Sequence, residues 1–519
     1  MTDTASTIPN IAPDYSAQCA RIAEKLVAAR RYDIQRKVSG ADHHEYEIGP
    51  VLSEDAIQAF EETHSIKLPA PYAAFLTKVG HAGPLRSQNT AGPFYGLLPL
   101  DQTVTAFGAD IPPSLADMPA MNARMSDEYW DELTDPYHQD DLPSDERTAL
   151  KAKALSGLLP IGPQGGALFA ALVLNGPDRG RIVNIDAELH PPVYAFEANF
   201  LDWYERWLDE VLSGVLITDK PTSFGYTMGG TDEDLLAHYF KSADREQQLL
   251  ALEGIFKLPR MRVRNGDVLL KICRSESGEH RLVAFELLIK NGFYNWAKDD
   301  LKGFLHGSEL DFHVACKALL DHADYHATDW ADVIGARLPS LTDANAFGVA
   351  SSLLAKADGN WSHDVLDFVD HREAGFRYHA MKALGAMDVA SGPVKAAFMK
   401  GMADQAPGVV AAAIAAHETD FSDHFVSRYY DIAKRTIHLN ADIEEALSDK
   451  IMDLGYDNRA EFIQAYEAGE LDACTLASLA KEASKLKDAA KIKEPADIGE
   501  QADTLTDRLK RYAKGLIRR

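Results

Sequence analysis

The run LPIGPQGGALFAALVLNGPDRGRIV, residues 159–183, sets glycines and prolines around two apolar stretches. It reads either as a phosphate-cradling loop, which would make the chain a nucleotide enzyme, or as the turns of a sheet. A Walker-type loop needs Gly-Lys-Ser/Thr opening a helix, whereas Gly165-Gly166 is followed by Ala167 and Leu168. No lysine stands ready for a phosphate, and no acidic residue closes a dinucleotide fingerprint. Asn175-Gly176 followed by Pro177-Asp178 is turn chemistry between strands, so the spacing predicts a β-hairpin. The glycines serve a sheet, and nothing here calls for catalysis.

The flanks supply helices for that sheet. Downstream, FEANFLDWYERWLDEVLSG places Phe200, Trp203, Trp207 and Val211 at helical spacing, an aromatic stripe read as core. Upstream, residues 14–31 put Cys19, Ile22, Leu26 and Val27 on one helix face. Ser53 is placed to N-cap SEDAIQAFEETHSIKLP. LPAPYAAFLTKVG opens on Pro69 and Pro71, aligns Tyr72, Phe75, Leu76 and Val79, and stops at Gly80. Residues 94–100, FYGLLPL, read as strand-like. Between them and the hairpin lies SDEYWDELTDPYHQDDLPSDER, in which nine acidic residues face the single Arg147; this is read as a polar, partly helical insertion.

After a linker at 216–230, the pattern changes to amphipathic helices. Apolar helices are drawn near Arg281, Asp311, Ala344, Gly375 and Gly408, with successive starts 30, 33, 31 and 33 residues apart and second helices between them. Pairs recurring at that interval mark an α-solenoid, each pair burying its inner face against its neighbours. The expected division is an α+β domain at 1–215, the linker, a HEAT-like solenoid at 231–480 and a basic helical tail at 481–519.

Charge narrows the function class. The net is −26; residues 481–519 contribute +4 from 11 basic and 7 acidic residues, leaving −30 on the first 480. Such a field repels nucleic acid and anionic membrane and attracts basic partners. The solenoid segment 231–480 itself holds 25 basic and 40 acidic residues, which counts against a helical-repeat enzyme gripping DNA. No secretory signal or membrane-length apolar run is seen, and Cys19, Cys273, Cys316 and Cys474 form no CxxC pair, so a soluble cytoplasmic protein without disulfides is expected.

No cofactor is expected. His322 and His326 stand at i and i+4, the spacing of two metal ligands on one helix face, but no third ligand and no zincin glutamate accompany them. His363, His371 and His379, eight apart, drift off a single face, and His43-His44 sits in a turn.

Several stretches together carry a resemblance to the SUKH superfamily, which includes the fungal cell-wall synthesis regulator and many bacterial toxin-immunity proteins. The family's Leu-Pro-x-x-Tyr-x-x-Phe-Leu falls on Leu68, Pro69, Tyr72, Phe75 and Leu76. Its Gly-Pro-x-Tyr-Gly-Leu falls on Gly92, Pro93, Tyr95, Gly96 and Leu97, and its tryptophan pair on Trp203 and Trp207. These stretches occur in family order over roughly residues 45–213. The usual glycine-rich turn is here Gly80-His81-Ala82-Gly83, and Gly166 stands where a cysteine often follows Gln-Gly.

The resemblance implies a non-catalytic α+β binding fold and an immunity protein that blocks a cognate toxin. The surface expected to bind is the acidic insertion: Asp127, Glu128, Asp131, Glu132, Asp135, Asp140 and Asp141 interleaved with Tyr129, Trp130 and Tyr137. Its carboxylates would steer a basic, nuclease-type toxin domain and its aromatics would anchor it; the competing reading is a solvated loop whose aromatics tuck against the sheet. A scaffold or regulatory role for the solenoid is the alternative.

Overall fold

The computed structural model describes residues 14–81, 89–108, 112–139, 141–217, 224–387, 391–416, 423–435 and 440–471. The chain divides into two compact units, Met1–Val268 and Leu269–Arg519.

The first unit is built around one sheet. Strands β1 (Leu158–Gly165), β2 (Leu168–Val173), β3 (Ile182–Asp186) and β4 (Val193–Tyr194) form an antiparallel meander in sequence order. The opening run is therefore two hairpins. Gly165 and Gly166, at φ +109° and +59°, make the first turn, and Gly176 and Gly180, at +80° and +94°, make the second, conformations that side-chain-bearing residues avoid. Pro160 and Pro163 are tolerated because β1 is an edge strand with register breaks at both positions. Segment 94–100 is not a strand. Positive φ at Phe94 and Gly96 breaks the extended backbone, although Leu98 N–H still bonds to the Ile161 carbonyl at 2.8 Å along the open edge of β1.

Both faces of the sheet are covered, which explains why β2 reads as continuously apolar rather than alternating. On one face, Leu159, Leu172 and Ile182 meet three helices: α1 (Ser16–Tyr32), α4 (Ala70–Lys78) and α7 (Phe200–Leu212). Before α4 lie α2 (Ala41–His44) and α3 (Glu54–His64), the latter capped by Ser53, whose Oγ accepts from Ala56 N–H at 3.2 Å. Tyr72, Phe75 and Leu76 of α4 and the expected face of α7 are buried, while Val79, just past α4, is partly so; in α1, Val27 is exposed and Ala29 takes the inward position.

On the opposite face, Leu158, Ala171, Val173, Val183 and Ile185 pack against Trp130, Tyr137, Ala154 and Leu155. Trp130 and Tyr137 belong to the insertion and Ala154 and Leu155 to the end of the helix that leaves it; α5 (Asp127–Thr134) and α6 (Ser144–Ala154) flank a 3-10 turn at Asp135–His138. The insertion read as a surface segment is thus the lid of the second core layer. Helices α8 (Asp232–Lys241) and α9 (Arg245–Phe256) complete this unit, α8 held by a Thr231–Asp234 capping box.

After α10 (Val263–Ser275), the second unit is all helix among the described residues: α11 (Gly278–Lys290), α12 (Tyr294–Leu305), α13 (Glu309–His322), α14 (Ala327–Arg337), α15 (Ala344–Leu354), α16 (Ser362–Leu366), α17 (Ala374–Ala386), α18 (Gly392–Gly401), α19 (Pro407–Ala416), α20 (Asp423–Arg435), α21 (Ala441–Asp453) and α22 (Arg459–Glu467). Helix α11 packs on α13, α13 on α15, α15 on α17, α17 on α19 and α19 on α21, while α12, α14, α16 and α18 each lie against the next odd-numbered helix. One row of helices thus forms a continuous apolar spine backed by a second row, the repeat construction the sequence period predicts. The basic tail at 481–519 and Cys474 lie outside the described residues.

Candidate functional site

The expected binding surface can be placed residue by residue. Ser126 caps α5 by accepting the Tyr129 N–H at 3.3 Å, which starts the helix and turns its faces. At helical pitch, Trp130 then points into the sheet while Glu128, Tyr129, Asp131 and Glu132 point out. Trp130 is fully buried, and its Nε1 donates to the Leu189 carbonyl at 2.8 Å. Tyr137 is also buried, its hydroxyl donating to Glu188 Oε2 at 3.0 Å, and Arg147 turns inward to the Tyr137 and Gln139 carbonyls. Trp130 and Tyr137 are therefore core residues, and neither is open to a partner. Their apolar bulk is consumed in covering the sheet.

What remains outside is a carboxylate row. Glu128, Asp131, Glu132, Asp135 and Asp141 are exposed, and Tyr129, 54% exposed, is the aromatic that stays on this surface. Asp127 opens α5, and Asp140 lies outside the described residues. The Glu128 carboxyl is held below its usual range by its own backbone N–H and the Ser126 hydroxyl. The arrangement is an acidic outer face on a helix anchored in the core through Trp130. It offers steering charge and hydrogen-bond acceptors, and no nucleophile paired with a base.

A second feature escaped the sequence reading. Arg206 on α7 and Glu210 are buried, and the half-buried Glu197 and Lys257 join them: Arg206 Nε donates to Glu210 Oε1 at 2.9 Å, its Nη1 to Glu197 Oε1 at 2.5 Å, and its Nη2 to the Thr227 carbonyl at 2.6 Å. Lys257 Nζ adds 2.8 Å to Glu210 Oε2. Burial works against the guanidinium charge, but Glu210 and Glu197 outweigh it and Arg206 is raised; for Lys257 burial prevails and its pKa falls. A recess of about 630 Å³ opens beside this cluster. Its acidic lining is already engaged: Glu205 by Arg21 and Lys25, Asp209 by Lys25, Asp234 by the Thr231 cap. The cluster ties α7 to the 224–230 segment and to α9; it is a clamp. Only the Arg206–Glu210 spacing of i, i+4 was legible in the sequence, since Glu197 and Lys257 come from other segments.

The histidines resolve as structural. His322 ends α13, Ala323 leaves helical geometry at φ −153°, and His326 closes the separate 3-10 turn Asp324–His326 ahead of α14, so the pair shares no helix face. His326 instead stacks on Tyr294 with ring centroids 3.6 Å apart. Among the described residues, no group of His, Cys, Asp and Glu is arranged to hold a metal. Cys19, Cys273 and Cys316 are buried free thiols, and no described helix is long and apolar enough to cross a membrane.

His44, far from being exposed in a turn, is buried between Tyr46 and Trp207. Its Nδ1 accepts the Tyr46 N–H at 3.0 Å, which assigns the proton to Nε2; that atom lies near the Gly92 backbone without forming a hydrogen bond. Burial lowers its pKa to about 4. An unfolded chain protonates this ring near pH 6.5, so the native state resists a proton that the unfolded state takes, and stability falls as pH drops from 6.5 toward 4. Between pH 7 and pH 5 the wild type is expected to lose roughly 2 kcal/mol more than His44→Gln, which keeps the Tyr46 acceptor. Parallel urea titrations of the two proteins check this; equal losses would contradict it.

In comparison with known families, residues 51–206 match the SMI1 / KNR4 family (SUKH-1). Comparisons with curated proteins and with solved structures each gave no significant match. The matched span begins before α3 and ends within α7, taking in α4, the acidic lid and all four strands. The family is one of non-catalytic binding domains and includes both immunity proteins and KNR4-like regulators. Residues 51–206 are thus similar to the SMI1 / KNR4 family (SUKH-1), in a chain that continues as a helical region.

Proposed function

We propose that this chain is an immunity protein, acting in the cytoplasm of the bacterium that makes the toxin, and that it neutralises the cognate toxin by occlusion. The observation that carries the reading is the platform on α5: outward carboxylates and Tyr129, with Trp130 sunk in the core beneath them. A nuclease-type toxin presents a basic cleft to its substrate, and an acidic surface of opposite charge competes for that cleft. The net charge of −26 adds long-range attraction. A family of binding domains that includes immunity proteins agrees with this, and no step of the mechanism asks the chain to perform chemistry.

The test has a genetic and a kinetic arm. Co-expression with the toxin gene next to its own should restore growth, and uninhibited killing would end the proposal. For the purified pair, reversing three platform charges (Glu128→Lys, Asp131→Lys, Glu132→Lys) is expected to slow association at least about tenfold at low salt and to flatten its salt dependence. Unchanged association would remove the platform from the interface. No toxin gene beside its own, and no toxicity on deleting the chain, would instead favour a scaffold whose repeats recruit another protein.

A further inference from the structure

Helix α1 does not present a plain polar face to solvent. Ala23 and Val27 lie outward, Val27 54% exposed, and together they form one bank of a groove of about 660 Å³. The half-buried Ile48 and Val79 line the groove from other segments, and the buried Leu26 and Tyr46 close its base. Arg30, Arg31 and Glu47 stand where α1 ends. Single exposed apolar residues are ordinary, whereas apolar side chains gathered along a groove with arginine at one end have the make-up of a docking site.

The bank at 46–48 is fixed in advance. Glu45 and Tyr46 both take positive φ, +48° and +57°, a conformation that side-chain-bearing residues adopt rarely. Their surroundings hold them there. The Tyr46 hydroxyl donates to Oδ2 of the buried Asp33 at 2.8 Å, and its ring stacks on Trp207. The Glu47 carbonyl accepts the Ala91 N–H at 2.7 Å. A bank already ordered spares an occupant part of the entropy cost of binding.

Charge says what the occupant is. Glu47, the carboxylate in the lining, is answered by Arg30 at 3.1 Å. Arg31 is exposed and has no ion pair or hydrogen bond among the described residues. Nor does the end of α1 need it: the Ala29 carbonyl accepts the Asp33 N–H at 2.9 Å, and the Arg30 carbonyl accepts from Arg36 Nη1 at 3.2 Å. An unengaged guanidinium fork takes a carboxylate through two parallel hydrogen bonds. A polyanion such as nucleic acid or an anionic membrane is repelled by the net charge of −26, while a short segment with one or two carboxylates carries too little charge to be turned away.

We infer that this groove docks a short segment of a partner protein in which apolar side chains are followed by an acidic residue. The apolar side chains lie along Ala23, Val27, Ile48 and Val79, and the carboxylate meets Arg31. Helix α1 and the acidic lid cover opposite faces of the sheet, so this surface is separate from the platform on α5 and of the opposite charge preference. Its occupancy does not depend on the platform binding a toxin.

The test selects random peptides displayed on phage against the immobilised full chain, then measures one synthetic peptide of the selected class by fluorescence anisotropy. A class pairing apolar residues with Asp or Glu is expected. Val27→Glu and Arg31→Glu are each expected to weaken it at least about tenfold, with the unfolding midpoint unchanged because both side chains are exposed. Replacing the peptide's acidic residue by its amide is expected to cause the same loss without touching the protein. The inference is overturned if selection returns no such class, or if the peptide binds both variants as tightly as the wild type. It is equally overturned if the chain sediments as a dimer that Arg31→Glu dissociates, since the occupant would then be a second copy.

Discussion

Replacing Trp130 by alanine is expected to cost the N-terminal unit about 3–5 kcal/mol, the range for emptying a large aromatic site in a packed core. The side chain is completely buried among Phe107, Met121, Leu158, Val183, Ile185 and Leu189. Its Nε1 also satisfies the Leu189 carbonyl at 2.8 Å, and Leu189 sits at φ +65°, a conformation that needs its surroundings to hold it. Trp130→Phe keeps most of the volume and drops the hydrogen bond, so its cost is expected near 1–3 kcal/mol. The neighbour Tyr129, exposed on the same helix, is expected to tolerate alanine within about 0.5 kcal/mol. Hydrogen exchange of β2 and β3 in the three variants separates these outcomes by unit. Equal protection in Trp130→Ala and Tyr129→Ala would mean that the insertion does not cover the sheet.

That contrast between two adjacent residues shows where sequence reading reaches its end. The hairpins around Gly165-Gly166 and Asn175-Gly176, the faces of α4 and α7 and the stacking period of the second unit all follow from local rules: turn chemistry, helical spacing and repeat length. The role of 126–147 does not. Nine acidic residues mark the segment as polar, and the two residues that decide its place, Trp130 and Tyr137, are recognised as core only once the sheet needs a second cover. The apolar run in β2 did hold that information. A strand buried on both faces has no polar alternation, so something besides α1, α4 and α7 had to lie on it. Val27, by contrast, misled because it neighbours Leu26 on the helix and falls just off the buried face.

The buried clamp was least legible, and it is where the other large effect is expected. Arg206→Met should destabilise the first unit by about 3–5 kcal/mol, because it leaves the half-buried Glu197 and buried Glu210 carboxylates with Lys257 as the remaining cation beside them. Arg206→Lys should do little better. The guanidinium fork reaches Glu210, Glu197 and the Thr227 carbonyl in three directions at once, and a single ammonium cannot. The clamp also predicts why residue 229 is glycine: a methyl there would overlap the Arg206 guanidinium, so Gly229→Ala should loosen the same segment. The fair comparison is a double-mutant cycle of Arg206→Met with Glu210→Gln, since neutralising the carboxylate removes part of the penalty the first change creates. A coupling of about 1–3 kcal/mol is expected, together with faster hydrogen exchange across 224–230 in Arg206→Met. Wild-type stability in Arg206→Met, with no coupling, would reduce the cluster to an incidental contact. Its strength would then be set by burial alone, and α7 would be held to residues 224–230 by Phe224 against Trp203 rather than by charge.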